Sequence, residues 1–175
     1  AYKHVPILED NKIQAFENNI IGTKNLLDNI DINFLNKFVF ISTDKAVKPS
    51  STMGATKRIC ELLIIAKNLK INKNLFSIVR FGNVINSRGS VLPIFAEQIS
   101  KGGPVTVSHK DVQRYFMSIP ESVSLIFQTL LINGENYKFI LDMGKPIKIL
   151  EIAKKMILLS GYKEKRSPND TKGIE

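Results

Sequence analysis

Two short apolar runs, Phe38-Val39-Phe40-Ile41-Ser42 and Leu75-Phe76-Ser77-Ile78-Val79-Arg80-Phe81, limit the folds open to this chain more than any other feature. Neither alternates apolar with polar residues, so each reads as a strand with apolar side chains on both faces, the pattern of a parallel sheet covered by helices. Between them lie a loop, Thr43 to Thr52, with Pro49 and the hydroxyls of Ser50, Ser51 and Thr52, and an amphipathic helical stretch, Met53 to Leu69. Strand, helix, strand at this spacing is a crossover unit, which joins parallel neighbours and is right-handed. The fold class is α/β.

Upstream, Ile13, Phe16, Ile20, Leu27 and Ile30 place one apolar stripe on a helix over Asn11 to Ile30, followed by a polar connection from Asp31 to Lys37. Beyond Phe81 the character changes, with Gly82, Gly89, Pro93, Gly102, Gly103 and Pro104 punctuating shorter segments. These predict a short strand over Pro104 to Ser108, a helix from Glu121 to Leu131 opened by Pro120, and a strand from Tyr137 to Asp142. A helix over Ile147 to Leu159 then stops at Ser160-Gly161, and the tail Lys163 to Glu175 reads as a polar loop. The organisation is a parallel α/β half-domain over residues 1–81 and a smaller, irregular α+β region over 82–175 that still holds the strand near 137–142. Ligands of open parallel sheets bind beyond the carboxyl ends of the strands, so the loops after Ser42 and Phe81 are where a site is expected.

The formal charge of +9 is spread along the whole chain, and no recognition motif accompanies it, so nucleic-acid binding is not expected. The positive field suits a small anionic ligand such as a nucleoside diphosphate. The single cysteine, Cys60, excludes an internal disulfide and reads as a core filler. With only His4, His109 and that cysteine, no metal site is expected. No stretch approaches the roughly 20 apolar residues that cross a bilayer, so the chain itself is expected to make no membrane contact.

After the first strand, Ser42-Thr43-Asp44-Lys45 sets hydroxyl, carboxylate and ammonium side by side. In one pocket such groups supply a hydrogen-bond donor, an acid and a base; on an open surface the same residues are an ordinary polar turn with an ion pair. Lys57 follows Met53 by four positions and shares its helix face. It either points back toward the strand ends or is a solvated lysine, and spacing alone leaves both open.

Ser42-Thr43-Asp44-Lys45-Ala46-Val47, Met53-Gly54-Ala55-Thr56-Lys57-Arg58, Arg80-Phe81-Gly82-Asn83-Val84 and Asn86-Ser87-Arg88-Gly89-Ser90-Val91 together resemble the CapD-like polysaccharide-biosynthesis branch of the extended short-chain dehydrogenases. That branch includes UDP-N-acetylglucosamine 4,6-dehydratases. Ala1-Tyr2-Lys3-His4-Val5-Pro6, Asn19-Ile20-Ile21-Gly22-Thr23, Gly103-Pro104-Val105-Thr106-Val107, Arg114-Tyr115-Phe116-Met117 and Leu141-Asp142-Met143-Gly144 extend the likeness over nearly the whole chain, in order. The fold it implies is the C-terminal part of a Rossmann-like doubly wound parallel sheet with a smaller α+β substrate-binding region. Met53 stands where short-chain dehydrogenases usually carry the tyrosine of Tyr-x-x-x-Lys, and a thioether moves no proton; the larger dehydratases of this branch share the methionine.

What the resemblance implies is an NAD-dependent dehydratase of a UDP-sugar, with NADP the less expected cofactor. Thr43 would hydrogen-bond the hydroxyl on carbon 4, Asp44 would be the acid at the leaving hydroxyl, Lys45 the base at carbon 5, and Lys57 the anchor of the nicotinamide ribose. Lys3 and Asn19 would lie against the cofactor, and Asn83, Arg88, Val91 and Arg114 would hold the UDP moiety, two guanidinium groups suiting a diphosphate. No Gly-x-Gly-x-x-Gly run occurs in the sequence, so the expectation is a piece of a longer enzyme, cut at both ends, from a cytoplasmic protein that is anchored to the inner membrane. Homo-oligomerisation through the first two helices is expected as well. The alternatives are an epimerase or reductase of the same family, or an inactive UDP-sugar-binding remnant.

Overall fold

A computed structural model describes residues 1–85, 87, 89–132, 137–165 and 173–174. In chain order the elements are α1 (Val5–Asp10), α2 (Lys12–Ala15), a π-helical turn (Phe16–Ile21), α3 (Gly22–Asn29), β1 (Phe38–Ile41), a 3-10 turn (Asp44–Ala46), α4 (Thr52–Ile71), β2 (Phe76–Arg80) and β3 (Asn83–Val84). They continue as α5 (Val91–Ser100), β4 (Gln113–Arg114), β5 (Phe116–Met117), α6 (Ile119–Leu131), β6 (Lys138–Ile140), β7 (Ile147–Lys148), α7 (Ile149–Leu159), β8 (Lys163–Glu164) and β9 (Gly173–Ile174). Two compact units divide the chain: Ala1–Gly82 with Ser122–Asp142, and Asn83–Glu121 with Met143–Glu175.

The first unit is built on a parallel sheet in the order β1-β2-β6, with Phe40 opposite Ile78 and Val79 opposite Phe139. Its core gathers Ile20, Leu27, Phe40, Cys60, Ile64, Phe76 and Ile78, from α3 and the turn before it, the sheet and α4. Each such side chain contributes about 1.5–3 kcal/mol when withdrawn from water. Cys60 is among them, a filler as its apolar context predicts.

Local capping explains where α4 begins and ends. Ser51 is its N-cap, accepting from the Gly54 N–H, while the Glu9 carboxylate takes the Thr52 N–H at 2.7 Å and its hydroxyl at 2.8 Å. At the far end Asn72 takes the left-handed conformation, φ 51°. One turn earlier, the Asn68 amide brackets Phe76, donating to its carbonyl and accepting from its N–H, which starts β2 at a fixed point.

Two expectations for this unit are corrected. β1 is not buried on both faces: only Phe40 is buried, and Ile41 is 48% exposed, because among the described residues β1 pairs with β2 alone. β2, paired on both sides, is buried throughout. The helix expected over Asn11 to Ile30 starts instead at Val5, with Pro6 in its first turn, breaks at Asn11, and passes through the π-turn, where the Gly22 N–H reaches back to the Glu17 carbonyl. That extra residue per turn shifts the helix phase, so Ile13 and Phe16 face outward while Ile20 and Leu27 reach the core.

In the second unit β3 runs parallel to β5 and β4 pairs antiparallel with β7. Helices α5 and α7 bury Phe95, Ile149 and Ala153 in one cluster and Ile99 and Ile157 in another. Pro104 to Ser108 forms no strand: the Gln98 side chain takes a strand's place, accepting from the Thr106 N–H and donating to its hydroxyl. Nor is the tail merely a loop, since β8 pairs with β9 and Ile174 is buried against Ile99 and Ile157.

Candidate active site

β1 ends at Ile41, and its last ladder bond, from the Ser42 N–H to the Val79 carbonyl at 2.7 Å, holds the following residues at the sheet's carboxyl edge. Thr43 caps the 3-10 turn over Asp44–Ala46, its hydroxyl oxygen 3.4 Å from the Lys45 N–H. The Asp44 N–H donates to the Phe81 carbonyl at 3.1 Å, so the turn is tied to the loop after β2. The two loops singled out by the sheet rule are thus bonded to each other.

The three side chains converge on one oxygen. The Thr43 hydroxyl donates to Asp44 Oδ1 at 2.8 Å, and Lys45 Nζ lies 3.0 Å from the same atom. Among the described residues Asp44 Oδ2 has no partner. The carboxylate and ammonium are each about one-third exposed (36% and 33%), an ion pair within reach of a ligand.

Lys57 points back to the strand end. Its ammonium donates to the Ile41 carbonyl at 2.9 Å and lies over the Phe40 ring, 4.7 Å from the centroid. Burial pushes this amine below its usual 10.5, partly offset by the negative charge of Glu61. Of the two readings of Lys57 that spacing left open, the structure takes the one directed at the strand end. Met53 fills an apolar cluster with Leu8 and Ala15.

Asn19, expected against the cofactor, turns its side-chain amide to Tyr2, Asn18 and Thr56. Its Oδ1 accepts from the Tyr2 and Asn18 side, at 2.6 Å from Tyr2 N and 3.1 Å from Asn18 Nδ2, and its Nδ2 donates to the Tyr2 carbonyl and the Thr56 hydroxyl. Wholly buried, the amide is fully used in fastening Ala1–His4 to the helices. Lys3 is exposed, and His4 stands before α1 without capping it by its side chain.

In the second unit the backbone gathers three expected substrate residues. The Asn83 N–H donates to the Tyr115 carbonyl, next in sequence to Arg114, and Val91 packs in the cluster that holds Phe116, the ladder partner of Asn83. Arg114 is exposed and donates to the Gln113 carbonyl. Arg88 lies outside the described residues. His109 is exposed in a turn, its Nδ1 accepting from the Asp111 N–H.

One group escaped the sequence reading. Glu61 is wholly buried, and its carboxylate accepts from the Ser42 hydroxyl at 2.7 Å, Arg58 at 2.9 Å, and both Nε and Nη2 of Arg80. Burial alone would raise this carboxyl, but the bonds from Arg80, Ser42 and Arg58 outweigh it and hold it below its usual 4.5. The Glu61 carboxylate in turn raises the Arg80 guanidinium above its ordinary range. The signal was present: an arginine at the end of an otherwise apolar strand demands a buried acid.

A family model described as polysaccharide biosynthesis protein matches residues 1–174. The capsular polysaccharide biosynthesis protein CapD of Staphylococcus aureus is 51% identical over 99% of this chain, which spans 29% of that protein. A UDP-glucose 4-epimerase of Rickettsia bellii is 40% identical over 72% of the chain and 38% of its own length. The X-ray structure of Pen from Bacillus thuringiensis superposes on the whole chain with a TM-score of 0.85 at 31% identity, 54% of it being covered. Solved nucleotide-sugar epimerases and dehydratases at 19% and 18% identity share the Rossmann-type fold, one of them solved with NAD. The chain therefore spans less than a third of CapD and well under half of the epimerase.

Proposed function

Since the chain belongs to the polysaccharide biosynthesis protein family, we propose that it carries the acid-base machinery and part of the sugar-nucleotide site of an NAD-dependent 4,6-dehydratase acting on UDP-N-acetylglucosamine or a close relative. The observation that carries this reading is the convergence of Thr43, Asp44 and Lys45 on one carboxylate oxygen at the carboxyl end of a parallel strand. An enzyme that only inverts carbon 4 has no use for an acid and a base at carbons 6 and 5.

In this reading the Thr43 hydroxyl engages the hydroxyl on carbon 4. Lys45, as the free amine, removes the proton on carbon 5, which is acidic once carbon 4 is a ketone. Asp44, in its acid form, protonates the hydroxyl that leaves carbon 6 as water. The two side chains stand 3.0 Å apart, which puts both at one place on the sugar for these roles. Asn83, Val91, Arg88 and Arg114 hold the UDP moiety. Lys57, half-buried with its ammonium at the strand's end, fits a ribose hydroxyl of the cofactor; Asn19, its amide fully used, does not. A nicotinamide cofactor anchored by Lys57 would supply the hydride acceptor and donor that oxidation at carbon 4 and the return of the hydride to the sugar call for. The setting is the cytoplasmic side of a parent protein anchored to the inner membrane, and the chain acts as a homo-oligomer.

Titration calorimetry with UDP-N-acetylglucosamine tests this reading: saturable binding is expected, weakened about tenfold or more in Arg114→Ala by loss of a charge-assisted contact. A folded chain without detectable binding overturns it. The second reading, a 4-epimerase, is favoured by the likeness to the Rickettsia bellii enzyme. Incubation with the sugar nucleotide and NAD separates the two, because a dehydratase product has lost one water and an epimerase product keeps its mass.

A further inference from the structure

Glu61 is wholly buried, yet a buried ion pair is in general no more stabilising than well-packed apolar residues. What this one does is geometric. Its Oε1 accepts from the Ser42 hydroxyl, directly after β1, and from Arg80 Nε, at the end of β2, each at 2.7 Å. Its Oε2 accepts from Arg80 Nη2 and from Arg58 on its own helix. The carboxylate thus grips the carboxyl ends of two neighbouring strands from α4. Ser42 is followed at once by Thr43, and the loop after Arg80 supplies the Phe81 carbonyl that receives the Asp44 N–H. Lys57 stands one helical turn before Glu61 and binds the carbonyl of Ile41, one residue short of Ser42.

We propose that Glu61 is a positioning residue: acting through Ser42 and Arg80, it sets the Thr43–Asp44–Lys45 turn and Lys57 in register with each other. This rests on the reading of that turn as the acid-base group. The geometric statement itself concerns only residues of the first unit, so it is tested without substrate.

The 175-residue chain is compared with Glu61→Gln and Glu61→Asp by amide hydrogen exchange and by NMR titration of Lys57. In Glu61→Gln, exchange at Asp44 is expected to quicken about tenfold or more beyond any change at Ile78, a core amide bonded to the Tyr137 carbonyl. Lys57 is expected to titrate lower than in the wild type, since a negative charge nearby has been removed. Glu61→Asp keeps the charge and loses one methylene of reach. It restores the Lys57 midpoint at least in part and leaves Asp44 fast. Should Glu61→Gln fail to fold, Ser42→Ala removes one bond to the carboxylate and is expected to speed Asp44 about 2- to 10-fold, the worth of one hydrogen bond. Asp44 and Ile78 changing alike, with Lys57 unmoved, would make Glu61 a stabilising residue only and overturn the proposal. Failure of the wild type to bind UDP-N-acetylglucosamine is read in a separate cell and bears on the functional reading, not on this one.

Discussion

Gly54 has no side chain because there is no room for one: a Cβ there would stand 2.6 Å from the Lys45 carbonyl oxygen, a backbone atom that moves only with its turn. Gly54→Ala is therefore expected to push the Asp44–Ala46 turn away from α4, at a cost of about 1–3 kcal/mol in urea unfolding, with weakened sugar-nucleotide binding by calorimetry. Glu61 gives the acid response. Its carboxyl is held below 4.5 in the fold, so it contributes stability above pH 4.5 that is lost as the pH falls from there through its folded value. Glu61→Gln should flatten that limb of the thermal midpoint plotted against pH, and an unchanged limb would mean other carboxylates govern it. Lys57 gives the same sign at the alkaline end, from a cost and not a gain. Its amine is held below 10.5, so the charged form is disfavoured in the fold and that cost is relieved as the pH rises through the folded value.

Elements show how far the sequence could be read. The parallel strands were legible because Leu75–Phe81 has no polar alternation, and β2 is buried throughout. β1 has the same composition and a different fate, since burial depends on neighbours that a local pattern does not contain. The π-turn was invisible because one added residue leaves the composition of the helix unchanged while rotating Ile13 and Phe16 outward. Gln98 standing in for a strand leaves no periodic trace either. At the candidate site, the order Thr43-Asp44-Lys45 showed three polar groups side by side but left an ordinary polar turn open, and their meeting at Asp44 Oδ1 depends on the turn's backbone. Asn19 came from a motif, which marks a position without saying that its amide faces Tyr2 and Thr56. Replacing it by alanine strands those partners in the interior, and Asn19→Ala is expected to cost about 1–3 kcal/mol, measured by chemical denaturation. A loss well under that range would show that the Ala1–His4 segment is held by other contacts.

For the whole molecule, the two units carry separate cores, and the second draws part of its core from Ile174. Truncation after Lys165 is expected to lower the unfolding midpoint of that unit while leaving amide protection at Ile78 in place, as hydrogen exchange would report. The proposed homo-oligomer calls on α3 and α4, where Leu26, Ile59, Leu62 and Leu69 are exposed apolar residues. Sedimentation of Leu62→Glu should show a lighter species than the wild type, and identical profiles would exclude that face. Finally, the lone thiol of Cys60 lies inside the contact between α4 and the segment containing Asn19 and Thr23, bonded to the Asn19 carbonyl, and burial raises it above its usual 9.0. With no other sulfhydryl in the sequence, an aromatic disulfide reagent reacts only in molecules where that seam has parted, so the colour it releases counts the openings of one interface, and the chain carries its own stopwatch.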